Sequence, residues 1–173
     1  MNSDAQSIEL TLIRHGQTIE NTQNRCQGHT VGTLSPLGIS QAQTLTTVMQ
    51  PEVFDAVFAS DLTRAIETGR IIFPTVPIVQ DQRLRERFYG ALEGEVLPEG
   101  LRFDGEIEGA ETLDALRLRL QDFVCELRAK HAGQKIAIVT HGIVIKTLLS
   151  LFTEQPFADI RIPKNCTPYT LKL

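Results

Sequence analysis

The sequence lacks an excess of basic charge, a long apolar run, paired cysteines and any metal-ligand spacing, and each absence removes a class of function. Lysine and arginine number 17 against 21 aspartates and glutamates, a net charge of -4. A nucleic-acid reader needs a basic field, so nucleic acid is not expected as a partner, although a locally cationic pocket is compatible with an acidic whole. No apolar stretch approaches the ~20 residues that cross a bilayer, so no membrane partner is expected. The polar start Met1-Asn2-Ser3-Asp4-Ala5-Gln6-Ser7 lacks the basic-then-apolar layout of a secretory signal. A cytoplasmic location is the expectation. Cys26, Cys125 and Cys166 are odd in number and widely spaced, with no CxxC pair, and read as reduced thiols. Cys26, in a polar loop, is the candidate for oxidation. Nothing has the spacing of a zinc site, and no metal or other cofactor is expected. Repeats, low-complexity tracts and linkers are also missing. With 173 residues, 42% hydrophobic and 22% charged, the chain suits one domain over 1–173 with its own core.

What is present alternates. Residues 8–13 (IELTLI), 55–59 (DAVFA), 76–79 (VPIV) and 136–140 (IAIVT) are short apolar or alternating runs that read as strands. Ser35-Pro36 sets a capping hydroxyl before a proline suited to the first helical position, which predicts a helix to Met49, stopped by Pro51. Ser60 and Asp61 offer cap oxygens for a second helix running to about Phe73. In a third, over 112–131, Leu113, Leu116, Leu120, Phe123, Val124 and Leu127 fall at helical spacing and Gly133 is the stop. A fourth follows His141-Gly142 to about Leu151. This alternation predicts an α/β three-layer sandwich, a mostly parallel central sheet with helices on both faces, which binds ligands beyond the carboxyl ends of its strands. Residues 93–109 contain five glycines or prolines and several acids without a period, and are expected to form a loop or short flap over that edge.

Only four histidines occur, and two end apolar strands in matching contexts, Arg14-His15-Gly16 and Thr140-His141-Gly142. Both imidazoles are expected at the carboxyl edge, where each glycine lets backbone approach a ligand and the next helix offers free amides. One histidine at a strand end is ordinarily a structural hydrogen-bonder, but two in equivalent places point to a shared anion. A guanidinium fork matches phosphoryl oxygens, and Arg14 and Arg64 both start near that edge. Arg64 in the first turn of a helix opposes the dipole unless an anion is close.

Six ordered elements together resemble the histidine phosphatase superfamily, the group that includes cofactor-dependent phosphoglycerate mutase. They are Arg14-His15-Gly16-Gln17-Thr18 with Asn21, Arg25-Cys26-Gln27-Gly28, Leu34-Ser35-Pro36-Leu37-Gly38, Ser60 to Ala65, Leu84 to Gly94, and Val139-Thr140-His141-Gly142. The resemblance implies that His15 is a nucleophile forming a phosphohistidine, that Arg14, Arg64 and His141 bind the phosphoryl oxygens, and that Glu86 is the proton donor. Asn21, Gln27, Gly28 and the Gly142 amide become secondary phosphate ligands. Arg85 and Arg87 flank Glu86, while Phe88 and Tyr89 are expected on the leaving-group side.

The chain departs from the family in two places. His29-Thr30-Val31-Gly32-Thr33 stands where an aspartate is usual. The segment 95–109 is short and acidic, with Glu95, Glu99, Asp104, Glu106 and Glu108 against the single base Arg102, where mutases carry a longer, basic insertion. That, with an end at Leu173 that leaves no tail over the site, disfavours a mutase and favours water as acceptor. The expected function is therefore a metal-independent phosphomonoester hydrolase acting on a small phosphate ester. A protein phosphohistidine phosphatase and a catalytically weak phosphate-binding regulatory module are the alternatives. Gly109-Ala110-Glu111-Thr112 either touches substrate or only starts the long helix. His29 is a candidate for the pocket entrance, and oligomeric state is not readable from the sequence.

Overall fold

The alternation of strands and helices is realised around one five-stranded sheet. A computed structural model describes residues 7–50, 52–102 and 105–173. Pro51, read as a helix stop, Asp104 of the acidic segment and residues 1–6 lie outside these. In chain order the elements are β1 (Glu9–Arg14), α1 (Ile19–Thr22), α2 (Pro36–Met49), β2 (Ala56–Ala59), α3 (Thr63–Ile72), β3 (Ile78–Gln80), α4 (Leu113–Lys130), β4 (Lys135–Thr140), α5 (Gly142–Phe152) and β5 (Pro168–Lys172). The sheet order is β3-β2-β4-β1-β5. The first four strands are parallel, and β5 runs antiparallel to β1.

Successive strand residues point to opposite faces, and the sheet buries both. Leu10, Leu12, Phe58, Ile136 and Ile138 enter one core with Leu116, Leu120 and Phe123 of α4 and Val144 and Leu148 of α5. Ile13, Val57, Ala59, Ala137 and Val139 enter the other with Ala42 and Leu45 of α2 and Ala65 and Ile72 of α3. This is why β4 reads as a continuous apolar run and why β1, after alternating through Thr11, turns apolar over the pair Leu12-Ile13. Truncating a fully buried residue such as Leu12 to alanine costs about 2–5 kcal/mol. The three expected layers are all there.

Local chemistry explains where the boundaries moved. The third strand begins at Ile78 rather than Val76, because Pro77 has no N–H to give the ladder. Neither Ser60 nor Asp61 caps α3: its N-cap is Leu62, without a side-chain hydrogen bond. The Ser60 hydroxyl accepts from the Leu62 amide and pairs with His141 instead. β5 and α1 are additions. β5 opens on Pro168, a residue suited to an edge strand, and the single turn of α1 is closed by a capping box between Thr18 and Asn21.

Two features fix the site. β1 and β4 are neighbours in register, Arg14 opposite Thr140, and the His15 amide extends the ladder to the Thr140 carbonyl at 2.9 Å. His15 and His141 therefore leave the sheet at the same height. A Cβ on Gly16 would lie 2.6 Å from the Gly38 carbonyl oxygen, and one on Gly38 would lie 2.0 Å from that of Gln17. What these glycines allow is contact between the chain after β1 and the start of α2, so Gly16 serves backbone packing rather than an approach to ligand.

Candidate active site

His15 and His141 are both buried, with ring centroids 5.2 Å apart. His15 Nδ1 lies 2.8 Å from the Gly16 carbonyl oxygen. A carbonyl only accepts, so Nδ1 carries the hydrogen and Nε2 keeps its lone pair while the ring is neutral. Burial holds the His15 pKa well below its ordinary value, and Arg64 and then Arg14 press it further in the same direction. His141 is lowered in the same way, first by burial and then by Arg64. Its Nε2 is 2.8 Å from Ser60 Oγ, and its buried Nδ1 has no partner among the described residues.

The two arginines arrive from different elements. Arg14 ends β1 and donates from Nη1 to the Pro163 carbonyl at 2.8 Å. Arg64, in the first turn of α3, is 1% exposed and donates to the carbonyls of Gly28 (2.8 Å) and Thr30 (3.0 Å). Neither forms an ion pair among the described residues. Burial lowers the Arg64 pKa to about 10, with Glu86 opposing, so it stays charged at neutral pH. The Nε atoms of both are buried without a partner. Thr68, which sequence reasoning passed over, locks α3 to the site: its hydroxyl accepts from the Gly16 amide and donates to the Arg64 carbonyl.

Glu86 lies on an irregular stretch between two short 3-10 turns, Gln82–Leu84 and Gly90–Leu92. The Thr140 hydroxyl draws this stretch to the end of β4 by donating to the Leu84 carbonyl at 2.7 Å. The Glu86 carboxylate accepts from the Arg87 amide at 2.9 Å and from the Ile143 amide, in the first turn of α5, at 3.3 Å. A helix N-terminus suits a carboxylate.

These groups line one cavity of about 90 Å3, together with Asn21, Arg25, Cys26, Gln27, Gly28, Tyr89, Leu97, Gly142, Ile143 and Ile162. Every site residue named from the sequence is on its wall except His141, which is fully buried with its ring centroid 5.2 Å from that of His15. Asn21 uses its side-chain oxygen to accept from the Thr18 amide, which leaves its NH2 to offer. Gln27 is buried, with Oε1 unpartnered. Gly28 has φ +48, and a Cβ there would sit 1.9 Å from Glu93 Oε1. The flap contributes little. Leu97 reaches the cavity and its amide bonds the Asn24 carbonyl, whereas Glu95, Glu99, Glu106 and Glu108 are exposed.

Several expectations change. Arg85 forms a 2.6 Å ion pair with Asp61, and Arg87 is buried with its Nε on the Glu111 carbonyl; neither lines the cavity. Tyr89 does, but Phe88 turns out against His29. Cys26 is buried, and burial followed by Glu93 pushes its thiol up to about 12, so it stays a protonated, unreactive thiol rather than an oxidation-sensitive one. All three cysteines are free. Glu111 neither touches the cavity nor merely starts α4; it takes both ends of the Arg119 fork. Arg25 was given no role although it opens the Arg25-Cys26-Gln27-Gly28 element, while Leu97, Ile143 and Ile162 were missed because nothing in their local sequence marks a wall residue. Among the described residues no group of three or more His, Cys, Asp or Glu is placed to hold a metal ion, and no helix is long and apolar enough to cross a membrane.

Two guanidiniums, that of Arg64 buried, and two buried imidazoles gather at the carboxyl edge of the parallel strands of an α/β fold, with unpartnered donors beside one small cavity, a locally cationic site whose chemistry suits an anion. Comparison with known proteins gives the family: residues 10–172 match the model of the histidine phosphatase superfamily (branch 1), and the chain belongs to it. Phosphoglycerate mutase-like protein 4 of Arabidopsis thaliana is 33% identical over 85% of this chain and 72% of its own length. The metal-independent phosphoserine phosphatase of the same plant is 29% identical over 87% and 71%. Among solved structures, a mycobacterial glucosyl-3-phosphoglycerate phosphatase in complex with VO3 superposes with a TM-score of 0.86 at 25% identity, covering 94% of this chain and 91% of that one.

Proposed function

We propose that the chain acts as one domain, in the cytoplasm, as a metal-independent phosphatase that hydrolyses small phosphate monoesters through a phosphohistidine on His15. The observation that carries this is the His15 Nδ1 contact with the Gly16 carbonyl, which leaves Nε2 as a neutral nucleophile beside two uncompensated guanidiniums. Nε2 attacks phosphorus, the bond from phosphorus to the ester oxygen breaks, and the electron pair leaves with that oxygen. The ring becomes cationic as the N–P bond forms, and the Gly16 carbonyl stabilises its Nδ1–H. Arg14 and Arg64 stabilise the spread phosphoryl charge. When the Ser60 hydroxyl donates to His141 Nε2, His141 Nδ1 is the protonated, unpartnered atom and donates to a phosphoryl oxygen. The NH2 groups of Asn21 and Gln27 and the Gly142 amide complete the cradle, with Gly28 allowing its loop to close against Glu93.

Glu86 gives its proton to the leaving alkoxide. As a carboxylate it then takes a proton from water, whose oxygen attacks phosphorus, breaks the N–P bond and releases phosphate. The positive charge this route needs is supplied by the two guanidiniums. The narrow cavity favours a small ester over a protein substrate, and the phosphatase names carried by relatives support hydrolysis. The test is hydrolysis of p-nitrophenyl phosphate in excess EDTA between about pH 5 and 8, by wild type, His15→Ala and Glu86→Ala. Wild-type turnover in EDTA, abolished by His15→Ala, is expected. An inactive wild type removes the enzyme reading, and activity lost only in EDTA removes the metal-free route. A panel of phosphorylated metabolites run against a phosphohistidine protein then identifies the substrate class.

A further inference from the structure

The sheet and its helices place His15, His141, Arg14 and Arg64, but residues 85–89, which carry Glu86, belong to no helix or strand. A displacement of about 1 Å in a reacting group costs on the order of a hundredfold in rate, so something must hold this stretch. The contacts converge on the backbone carbonyl of Glu86. His29 Nε2 lies 2.8 Å from it, and Arg119 Nη2 donates to it at 3.1 Å from α4. Since a carbonyl only accepts, His29 Nε2 carries a hydrogen in this contact.

Both donors are themselves fixed. The His29 amide donates to Glu93 Oε1 at 2.8 Å, the same oxygen that accepts from the Tyr89 amide at 3.1 Å, and its ring packs 5.4 Å from that of Phe88. Arg119 is gripped by Glu111 at 2.6 and 2.8 Å, and the Glu111 amide returns to the Phe88 carbonyl at 2.9 Å. The carbonyls that hold Arg64 belong to Gly28 and Thr30, the residues on either side of His29. The loop that seats a phosphate-facing cation is thus tied directly to the stretch that carries the acid. Neither His29 nor Arg119 lines the cavity.

We infer that His29 and Arg119 are positioning residues for Glu86, clamping its carbonyl so that the carboxyl stays over the ester oxygen. This rests on Glu86 being the proton donor. A clamp on the donor has a signature that general loosening of the fold lacks: its loss matters when the leaving group needs a proton and not when it does not. The test compares kcat/KM, which reports the steps up to departure of the leaving group and not the later hydrolysis of the phosphoenzyme, for phenyl phosphate, whose phenolate is strongly basic, and for 2,4-dinitrophenyl phosphate, whose leaving group departs unprotonated. His29→Leu keeps bulk without a donor; His29→Gln restores a donor near the Nε2 position; Arg119→Met removes the second hold.

His29→Leu and Arg119→Met are expected to lower kcat/KM on phenyl phosphate by about tenfold while that on dinitrophenyl phosphate changes by less than about twofold. His29→Gln is expected to stay near wild type on both. An equal fall on both substrates, or no fall on either, overturns the clamp. Glu86→Gln separates the two claims. If it is steeply biased toward phenyl phosphate while the His29 and Arg119 variants are not, only the clamp fails. If Glu86→Gln is itself unbiased, the proton-donor role fails and the clamp with it.

Discussion

Two arginine sites in this molecule satisfy the same side chain in opposite ways. Arg83, on the 3-10 turn Gln82–Leu84 beside α4, is surrounded by Asp81, Asp122 and Glu126 at 2.6, 2.6 and 2.8 Å, and these carboxylates raise its pKa. Arg64 is buried and held only by neutral carbonyls, and burial lowers its pKa to about 10. A carbonyl fixes the direction of a guanidinium without neutralising it; a carboxylate does both. The charge at Arg83 is consumed inside the protein. At Arg64 and Arg14 it remains directed at the cavity, where it adds to burial in lowering the pKa of both neighbouring imidazoles. Burial without a counter-ion is costly, so this arrangement is one a stability argument alone does not produce.

The largest expected consequence is on turnover. Arg64→Met should lower kcat/KM for p-nitrophenyl phosphate by about a thousandfold, the range seen when a transition-state oxyanion donor is removed. Arg64→Lys should recover only part, because an ammonium cannot reproduce two fixed donors to the Gly28 and Thr30 carbonyls. If Arg64→Met stays within about tenfold of wild type, the cation is structural and the contrast with Arg83 collapses.

Much of this was legible in the chain, for an identifiable reason. β1 and β4 are buried on both faces, so each ends in an apolar run that passes through Arg14 or Thr140 directly to an imidazole. The strand, its end and the site residue are therefore written in consecutive letters. Arg14, His15 and His141 could be named that way, and Arg64 follows the end of β2 closely enough to be read from it, whereas Glu86 follows no strand and is named only through the family resemblance. The partners that orient them could not. Arg119 meets the Glu86 carbonyl across 33 positions and Ser60 meets His141 across 81, and neither distance leaves a periodic trace. Asp61 reads as a helix cap, yet the fold uses it to pair Arg85. Local pattern predicts what an element is, while the fate of a polar side chain at its end depends on what tertiary packing brings beside it.

The second test is on stability and pH. The folded-state pKa values of His15 and His141 lie below their unfolded values, so below about pH 6.5 the unfolded chain binds more protons. The contribution of each neutral imidazole is complete above that pH and is lost as pH falls toward the folded values, with a slope approaching about 1.4 kcal/mol per pH unit for each ring. Urea unfolding of wild type and His141→Gln at a series of pH values measures it. The gap between the two should be constant above about pH 6.5 and should change in favour of the variant as pH drops. A gap that is flat down to pH ~5 would mean that neither burial nor the two arginines depress His141 in the folded protein.

The smallest effect belongs to the paired site. Arg83 is about a quarter exposed and its partners Asp122 and Glu126 more so, so solvent screens the network heavily and its raised pKa does not translate into matching stability. Arg83→Met should lower unfolding stability by about 1 kcal/mol, at the upper end for exposed pairs because three carboxylates are left facing one another. The loss should shrink in ~1 M salt, where the screening length is ~3 Å. Turnover of p-nitrophenyl phosphate should stay within about twofold of wild type, since the side chain touches neither the cavity nor the stretch that carries Glu86. A large drop in kcat would show that charge around Arg83 is transmitted through Arg119, whose guanidinium donates to the Arg83 carbonyl, and the two arginine sites would then have to be treated as one network.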